Sequence, residues 1–336
     1  MPTRTGRKGA FRYRDSRRRV IRDAATVARI EALVIPPGWK DVWISPTPGA
    51  KVQATGYDAA GRKQYLYHPV FRAAQEQEKY DSLIRFGERL PALRAAMAEH
   101  LDRDELDRER VSALALRLIS LGWFRVGSER YAREGTYGVT TLLRRHVQVR
   151  GSRVQLSFLG KHRVQVRSEL VDRELAGEIR DLLAVKPGAR VFKYRWEGDI
   201  YNLTSKRLND YVKLYLGEEF SAKDFRTWGG TLLAATHFAE RAANAGFPET
   251  PTAEKREVAA VMRLVAQKLG NTPAVCRASY VAPAVVEQYL DGRTIEDFRP
   301  RHLRVVKARD LDLSPEEAAV LSLLRSWRIR KARRAG

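Results

Sequence analysis

Residues 146–168 read HVQVRGSRVQLSFLGKHRVQVRS, and this stretch decides the fold class of the chain. Its apolar and polar residues alternate with a period of two, which is typical of strands that bury one face. Two turn signals, Arg150-Gly151-Ser152 and Leu159-Gly160-Lys161, divide the stretch into three parts. The pattern therefore predicts a three-stranded meander, with Lys161 at its second turn.

Away from this meander, from Phe71 onward, apolar residues recur at helical spacing, which indicates a mainly helical region. We expect helices over residues 72–90, 91–103, 109–121, 168–184, 202–216 and 252–269, and a last helix that opens at Ser314-Pro315. Gly270 supplies the glycine at which the sixth of these helices ends. Ser221 and Asp224 resemble a capping box that opens a helix carrying Arg226.

Residues 33–71 are rich in strand patterns instead. VWISP, AKVQATGYD and RKQYLYHP are predicted strands, and Asp58-Ala59-Ala60-Gly61 joins the last two as a hairpin. Alternation in RKQYLYH places Lys63, Tyr65 and Tyr67 on one face and Gln64, Leu66 and His68 on the other. Such a ribbon can enter a major groove, where glutamine pairs with adenine. Ordinary packing of the two tyrosines in a sheet is the alternative.

The predicted fold class is therefore α+β, with a small β-rich amino-terminal domain and a larger, mainly α-helical domain that contains a short β meander. We expect a basic arm at residues 1–30, the β-rich domain at 31–75 and the helical domain at 76–336, which ends in a basic tail. The first 30 residues carry ten Lys and Arg and two Asp, so they form either a solvated tail or an arm along phosphates.

The charge of the chain indicates its class of partner. It has 62 Lys and Arg against 40 Asp and Glu, a formal net charge of +22. An excess of this size favours a polyanion, most commonly nucleic acid, over a protein that is merely basic. No apolar run approaches the roughly 20 residues of a spanning helix, so no membrane segment is predicted. The single cysteine, Cys276, fits a reducing cytoplasm.

Several kinds of catalytic site are not predicted. The six histidines are scattered, without an HExxH motif or a Cys/His cluster, so we expect no zinc site. Gly160-Lys161 fails as a nucleotide-binding loop because Gln155 occupies the position of the required first glycine. The chain does offer cations, tyrosines and amides, and these suit phosphoryl transfer without a metal.

Short segments spread along the chain carry a family resemblance. They are IPPGWKDVWISP and KVQATGYDAAGRKQYLYH near the amino terminus, then GWFRVGSERY with Arg125, SFLGKHRV with Lys161, KDFRTWGGT with Arg226, and LGNTPAVCRASYV with Asn271 and Tyr280. In this order and spacing, the chain resembles type IB DNA topoisomerases, specifically the compact poxvirus-like and bacterial members. The resemblance spans residue 33 to the mid-280s.

The resemblance implies a role for each matched residue. Tyr280 would attack the scissile phosphate and leave a 3′-phosphotyrosyl bond with a free 5′-hydroxyl. Arg125 and Arg226 would contact the non-bridging oxygens, whose geometry a guanidinium fork matches. Lys161 would protonate the departing 5′-oxygen, and Asn271 would donate a hydrogen bond to a phosphate oxygen. Poxvirus members have histidine at the position of Asn271, and asparagine keeps the donor without titrating.

The resemblance also implies the partner and the wider set of contacts. Gln64, Tyr65 and Tyr67 match the family's major-groove strand, and Tyr131 and Lys223 match positions that touch phosphates near the cut. The two domains would be a DNA clamp and a catalytic domain that close around double-stranded DNA as a monomer. No metal or nucleotide cofactor is implied, and we expect a cytoplasmic, nucleoid-associated enzyme that relaxes supercoils.

Three alternatives remain at this point. A tyrosine recombinase or integrase shares the nucleophile and the cations, but usually has histidine three residues before the second arginine, where this chain has Lys223. An architectural DNA-binding protein would use the same basic surface without cutting. An RNA-binding protein would be expected to carry an RRM or KH signature, and the sequence has neither.

Overall fold

A computed structural model of the chain describes residues 2–6, 10–299 and 313–335, apart from the side chains of residues 73–77, 79, 334 and 335. The chain divides into two compact units, Met1–Tyr80 and Asp81–Gly336. They are described here as the first unit and the second unit.

The first unit contains a five-stranded antiparallel sheet and one helix. In chain order its elements are β1 (Thr3–Thr5), β2 (Arg12–Arg14), α1 (Ala24–Ala32), β3 (Lys40–Ile44), β4 (Val52–Tyr57) and β5 (Lys63–Tyr67), and the strand order in the sheet is β2-β1-β3-β4-β5. The three strands predicted within residues 33–71 are confirmed as β3, β4 and β5. The turn between β4 and β5 closes with a hydrogen bond from the Asp58 amide to the Arg62 carbonyl, 3.0 Å.

The segment that the sequence describes as a basic arm contributes strands β1 and β2 to this sheet, and its residues 7–9 lie outside the described residues. The Arg4 guanidinium donates hydrogen bonds to the backbone carbonyls of Ile35, Pro36, Pro37 and Trp39, at 2.8 to 3.3 Å. Helix α1 starts at the Asp23 cap and buries Ile30 against Val42, Ile44 and Ala54 of the sheet. Arg4 and α1 thus tie this segment to the core of the unit.

The second unit is mainly helical. Its helices are α2 (Pro69–Leu101, which begins in the first unit), α3 (Arg108–Gly122), α4 (Glu129–Arg133), α5 (Arg173–Ala184), α6 (Ser205–Leu216), α7 (Asp224–Ala245), α8 (Pro251–Leu269), α9 (Pro273–Ser279), α10 (Pro283–Leu290) and α11 (Pro315–Ala335). Its strands are β6 (Val147–Arg150), β7 (Arg153–Leu159) and β8 (Gln165–Val171), then the hairpin β9 (Lys193–Trp196) and β10 (Asp199–Asn202). This arrangement confirms the predicted α+β class.

Helices α3 and α7 lie at the centre of the second unit. Residues 110–116 of α3 and 225–231 of α7 are buried without interruption, whereas a surface helix would bury one stripe only. Aromatic rings from α2 and from the start of α7 pack around Phe86, whose centroid lies 5.1 Å from that of Phe225 and 6.0 Å from that of Trp228. This packing makes the start of α7 a fixed platform.

The meander predicted from residues 146–168 is confirmed. Strands β6, β7 and β8 pair antiparallel in that order. Val154, Leu156 and Phe158 on β7 are buried, which accounts for the period of two in the sequence. The turn between β7 and β8 contains Lys161.

Three details differ from the predicted elements. The expected break at Pro91 is wrong, because α2 continues through it and buries Leu90 and Leu93 on either side. Tertiary burial there compensates for the one backbone hydrogen bond that proline removes. Strand β8 extends to Val171, so the following helix begins at Arg173 rather than near 168. The hairpin β9–β10 was not predicted.

No helix among the described residues has the length and apolarity required to cross a membrane.

Candidate active site

The start of α7 positions Arg226. The Asp224 carboxylate accepts hydrogen bonds from the backbone amide of Ser221 at 2.8 Å and from its hydroxyl at 3.0 Å. The expected capping box is therefore half formed, since the serine hydroxyl donates to Asp224 instead of accepting from the helix. Arg226 lies in the first helical turn, where a cation is disfavoured by the helix dipole.

Arg226 is a buried cation held by backbone dipoles. Arg226 is only 4% exposed. Its guanidinium donates hydrogen bonds to the backbone carbonyls of Trp123 and Leu269, the latter at 2.7 Å. Among the described residues its Nε has no hydrogen-bond partner, and the guanidinium forms no salt bridge with a carboxylate. Burial, and then the charge of Arg125, lower the pKa of Arg226 to about 10. It stays charged at neutral pH, so the site favours an anion.

The turn after α3 brings a second arginine to the same place. Trp123 ends α3 in the left-handed conformation, with φ of 53°, and its ring packs on the backbone of α7 at Gly229. Only glycine fits there, because a β-carbon would overlap the indole. This contact directs the chain so that the Trp123 carbonyl meets Arg226 and Arg125 follows two residues later.

Arg125 is paired with the end of α8. Its guanidinium donates to the side-chain oxygen of Asn271 and, at 3.4 Å, to the carbonyl of Gly270. Gly270 ends α8 in the left-handed conformation, as predicted, with φ of 60°, and so turns Asn271 towards Arg125. Burial lowers the pKa of Arg125, an effect that the nearby Tyr280 opposes.

Asn271 keeps one hydrogen-bonding group unused. Its side-chain oxygen accepts from Arg125, whereas its buried Nδ2 has no oxygen or nitrogen acceptor among the described residues and lies beside the Cys276 thiol. A buried amide donor without an acceptor costs free energy in the absence of a ligand, of the order of 1–3 kcal/mol. The orientation thus leaves a donor for an anionic oxygen beside the two guanidinium groups.

Tyr280 follows α9 directly and faces these cations. Its backbone amide donates to the Cys276 carbonyl at 2.9 Å, which closes the last turn of the helix. The Arg226 guanidinium carbon lies 5.2 Å from the centroid of the Tyr280 ring, within cation–π range. Arg125, Arg226, Asn271 and Tyr280 thus come together from the segment after α3, the start of α7, the loop between α8 and α9, and the end of α9.

Lys161 is placed differently from the other four. It is exposed in the turn between β7 and β8, and no hydrogen bond or ion pair of the described residues joins it to them. The preceding residue, Gly160, lines a cavity of about 410 Å³ whose wall also includes Arg125, Arg226 and Gly270. The structure therefore gathers four of the five predicted catalytic residues and leaves Lys161 next to a cavity that Arg125 and Arg226 line.

The predicted DNA-contact residues of the first unit divide between two faces of β5. Tyr65 and Tyr67 are exposed and stack with their ring centroids 6.1 Å apart. Gln64 lies on the other, half-buried face, where its amide donates to Asp58 at 2.9 Å. This bond engages one of the two amide donors of Gln64 and orients its side chain. In the second unit, Tyr131 on α4 and Lys223 before α7 are both exposed.

Sequence reasoning missed Thr231, which contacts the segment around Tyr280. The Thr231 hydroxyl donates to the Tyr280 carbonyl at 3.3 Å and accepts from the Ala282 amide at 3.1 Å. A signal was present in KDFRTWGGT, because two glycines inside a helix cost stability unless another chain approaches closely. Gly229 meets Trp123, and Gly230 meets Tyr280.

The positive charge of this site comes from side chains. Within the parts of the chain that the structure describes, no three His, Cys, Asp or Glu residues are grouped so as to hold a metal ion. The charged groups that face the Tyr280 ring are guanidinium groups.

Comparison with known proteins identifies the family. Residues 68–300 match the family model described as eukaryotic DNA topoisomerase I, catalytic core, and residues 10–58 match that of the bacterial DNA topoisomerase IB, N-terminal domain. DNA topoisomerase 1B of Acanthamoeba polyphaga mimivirus is 30% identical over 294 residues, 85% of either chain. The corresponding enzymes of monkeypox virus and of vaccinia virus (strain Copenhagen) are 19% identical over 242 residues, 72% of this chain and 73% of theirs. This chain belongs to the type IB DNA topoisomerase family and is a DNA topoisomerase.

Proposed function

We propose that Tyr280 is the nucleophile with which this enzyme opens one DNA strand, and that Arg125, Arg226 and Asn271 hold the scissile phosphate. The observation that carries the proposal is the convergence of these residues from separate segments, with buried Arg226 5.2 Å from the tyrosine ring and without a carboxylate partner among the described residues. A cation that is buried without its own counterion is suited to one that the substrate supplies.

The two arginines stabilise the negative charge that develops during the reaction. As the Tyr280 oxygen attacks phosphorus, negative charge grows on the non-bridging oxygens, and preorganised donors stabilise that charge with little rearrangement. Arg226 is locked by two carbonyls and Arg125 by Asn271, so both are set before DNA arrives. The free amide of Asn271 adds one hydrogen bond to a phosphate oxygen. This charge takes the place that a metal ion occupies in other phosphoryl-transfer sites.

Lys161 acts in this proposal as the general acid. The bond to the 5′-oxygen breaks as the phosphotyrosyl bond forms; Lys161 donates a proton to that oxygen, and the phenol releases its own proton to water. Its position in the β7–β8 turn, one residue beyond a wall of the site cavity, supports the assignment. Religation reverses each step, with the 5′-hydroxyl as the nucleophile and Tyr280 as the leaving group.

Supercoils relax while the strand is open. In the 3′-phosphotyrosyl intermediate the free 5′ end rotates about the intact strand, driven by torque in the duplex, and religation then yields relaxed DNA. Because one phosphodiester bond replaces another, the free energy of the broken DNA bond is retained in the phosphotyrosyl bond. Religation therefore requires no nucleotide. Residues 31–75 would form the DNA clamp and 76–336 the catalytic domain of a monomer, bound at the nucleoid. The net charge of +22 supports an affinity that falls steeply with salt.

A plasmid assay tests the proposal directly. We expect the wild-type enzyme to relax supercoiled plasmid in EDTA without ATP, and to leave a denaturant-resistant protein–DNA adduct when the reaction is stopped. Tyr280→Phe should bind the same DNA and yield neither product, because it lacks the attacking oxygen. Relaxation or adduct formation by Tyr280→Phe would refute the role of Tyr280, and a strict need for Mg²⁺ or ATP would refute the metal- and nucleotide-independent mechanism.

A further inference from the structure

A single helix contacts both the phosphate-binding and the nucleophilic parts of the site. Helix α7 carries Arg226 in its first turn, and Gly230 and Thr231 follow about one turn later. Residues four apart lie on the same face of a helix, so Gly230 is stacked on the Arg226 side. The backbone of Tyr280 approaches this face so closely that a β-carbon at Gly230 would lie 2.6 Å from the Tyr280 carbonyl oxygen.

The Thr231 hydroxyl bridges the chain around the nucleophile. It donates to the Tyr280 carbonyl at 3.3 Å and accepts from the Ala282 amide at 3.1 Å. The Tyr280 carbonyl and the Ala282 amide lie on either side of Val281. One hydroxyl therefore acts as donor and acceptor and spans three consecutive residues. Thr231 is fully buried, which keeps water from replacing either bond.

The other side of Tyr280 is fixed independently. The Cys276 carbonyl accepts from the amides of Tyr280 and Val281, at 2.9 and 3.0 Å, and so ends α9. Ala282 is the cap residue of α10 and has no side-chain group with which to cap it. Thr231 thus supplies the only side-chain hydrogen bonds that the structure gives to the backbone of residues 280–282, within the described part of the chain.

We propose that Thr231 is a positioning residue, whose hydroxyl holds Tyr280 at the distance from Arg226 that in-line attack on the phosphate requires. The inference rests on the proposed roles of Tyr280 and Arg226. If the hydroxyl is removed, the Tyr280 carbonyl and the Ala282 amide lose their partner inside the protein, and the segment must shift to satisfy them. A shift of about 1 Å at a reacting group is sufficient to slow catalysis about 10²-fold.

Thr231→Val is the most specific test of the hydroxyl, because valine has nearly the same shape as threonine and has a methyl group in place of the hydroxyl. On a short duplex under single-turnover conditions, we expect the rate constants of cleavage and of religation both to fall by about 10- to 100-fold, with DNA affinity unchanged. Both directions slow because they share one transition state. Thr231→Ser retains the hydroxyl and should cleave at close to the wild-type rate.

Thr236→Val is the matched control on the same helix. Its hydroxyl donates only to the Leu232 carbonyl of α7 itself, at 3.1 Å, so its removal should leave the cleavage rate unchanged. If part of the variant is misfolded, the burst of cleaved DNA has a smaller amplitude but a normal rate constant. If the tyrosine is misplaced, the burst reaches its full amplitude with a lower rate constant. If Thr231→Val does not fold, Thr231→Ala is read in the same way.

The outcomes separate this inference from the proposed function. Cleavage by Tyr280→Phe would overturn the nucleophile assignment and this inference with it. Loss of cleavage in Tyr280→Phe, together with a wild-type rate constant in Thr231→Val, would overturn only the role of Thr231. An equal loss of rate in Thr231→Ser and Thr231→Val would also contradict it, since the hydroxyl would then be irrelevant.

Discussion

The proposed site contains a hydrogen-bonded cluster around the buried Arg226, formed with Arg125, Asn271 and Tyr280, and an exposed turn between β7 and β8. These two regions differ in how firmly they are fixed. Arg226 is 4% exposed and bonded to two carbonyls, and Arg125, Asn271 and Tyr280 are tied to it or to one another. Lys161 is exposed, and its turn includes His162 and Arg163 with φ of 60° and 58°. If the proposed roles hold, the groups that stabilise charge are fixed before DNA binds, whereas the proton donor lies on an exposed turn that is not bonded to them within the described residues.

Replacing Arg226 should have the largest effect. We expect Arg226→Ala to lower the single-turnover cleavage rate by about 10³-fold, which is the cost of losing a preorganised donor at a developing charge. Arg226→Lys should recover only part of this loss, because an ammonium lacks the planar fork. The measurement is the rate of adduct formation on a short duplex. A drop smaller than tenfold in Arg226→Ala would show that the buried cluster is not the charge-stabilising part.

Replacing Lys161 should have a smaller effect on chemistry and almost none on stability. We expect Lys161→Ala to slow cleavage by about 10²-fold on normal DNA, in the range of general acid catalysis. A substrate with a 5′-thio leaving group should restore the rate, since a thiolate departs without a proton. The melting temperature should match the wild type, because Lys161 is exposed and, within the described residues, no hydrogen bond or ion pair joins it to the cluster. Failure of the thio substrate to rescue the variant would contradict the acid role.

The smallest effect is expected from pH. Burial lowers the pKa of Arg226 only to about 10, so this guanidinium stays charged from about pH 5.5 to 7.5, and Asn271 does not titrate. Single-turnover cleavage should therefore be nearly flat across this window. Asn271→His should introduce an inflection near the ordinary histidine pKa of about 6.5. An inflection already present in the wild type would show that another group titrates in the reaction.

Local patterns predicted the elements whose stabilising contacts are also local. The period of two in residues 146–168, the hairpin turn at residues 58–61 and the glycine at the end of α8 all appear in the structure as expected. Pro91 shows the limit of such patterns, because α2 continues through it to bury Leu90 and Leu93. Strands β1 and β2 show the same limit, since Arg4 is bonded to carbonyls more than 30 residues away.

By itself the sequence determined the fold class, the polyanionic partner and, through short motifs in a fixed order, the five proposed catalytic residues. Only the tertiary structure decided that Arg226 is buried, that Gln64 is bonded to Asp58, and that Thr231 holds the chain around Tyr280. It also decided that, within the part of the chain the structure describes, Arg226 has no carboxylate partner and the Asn271 Nδ2 has no oxygen or nitrogen acceptor. The physical reason is the sequence separation over which each kind of interaction acts. Periodicity and turn chemistry act between neighbours, whereas burial and hydrogen bonding at this site join residues up to about 150 positions apart, as in the contact of Arg125 with Asn271, 146 positions away.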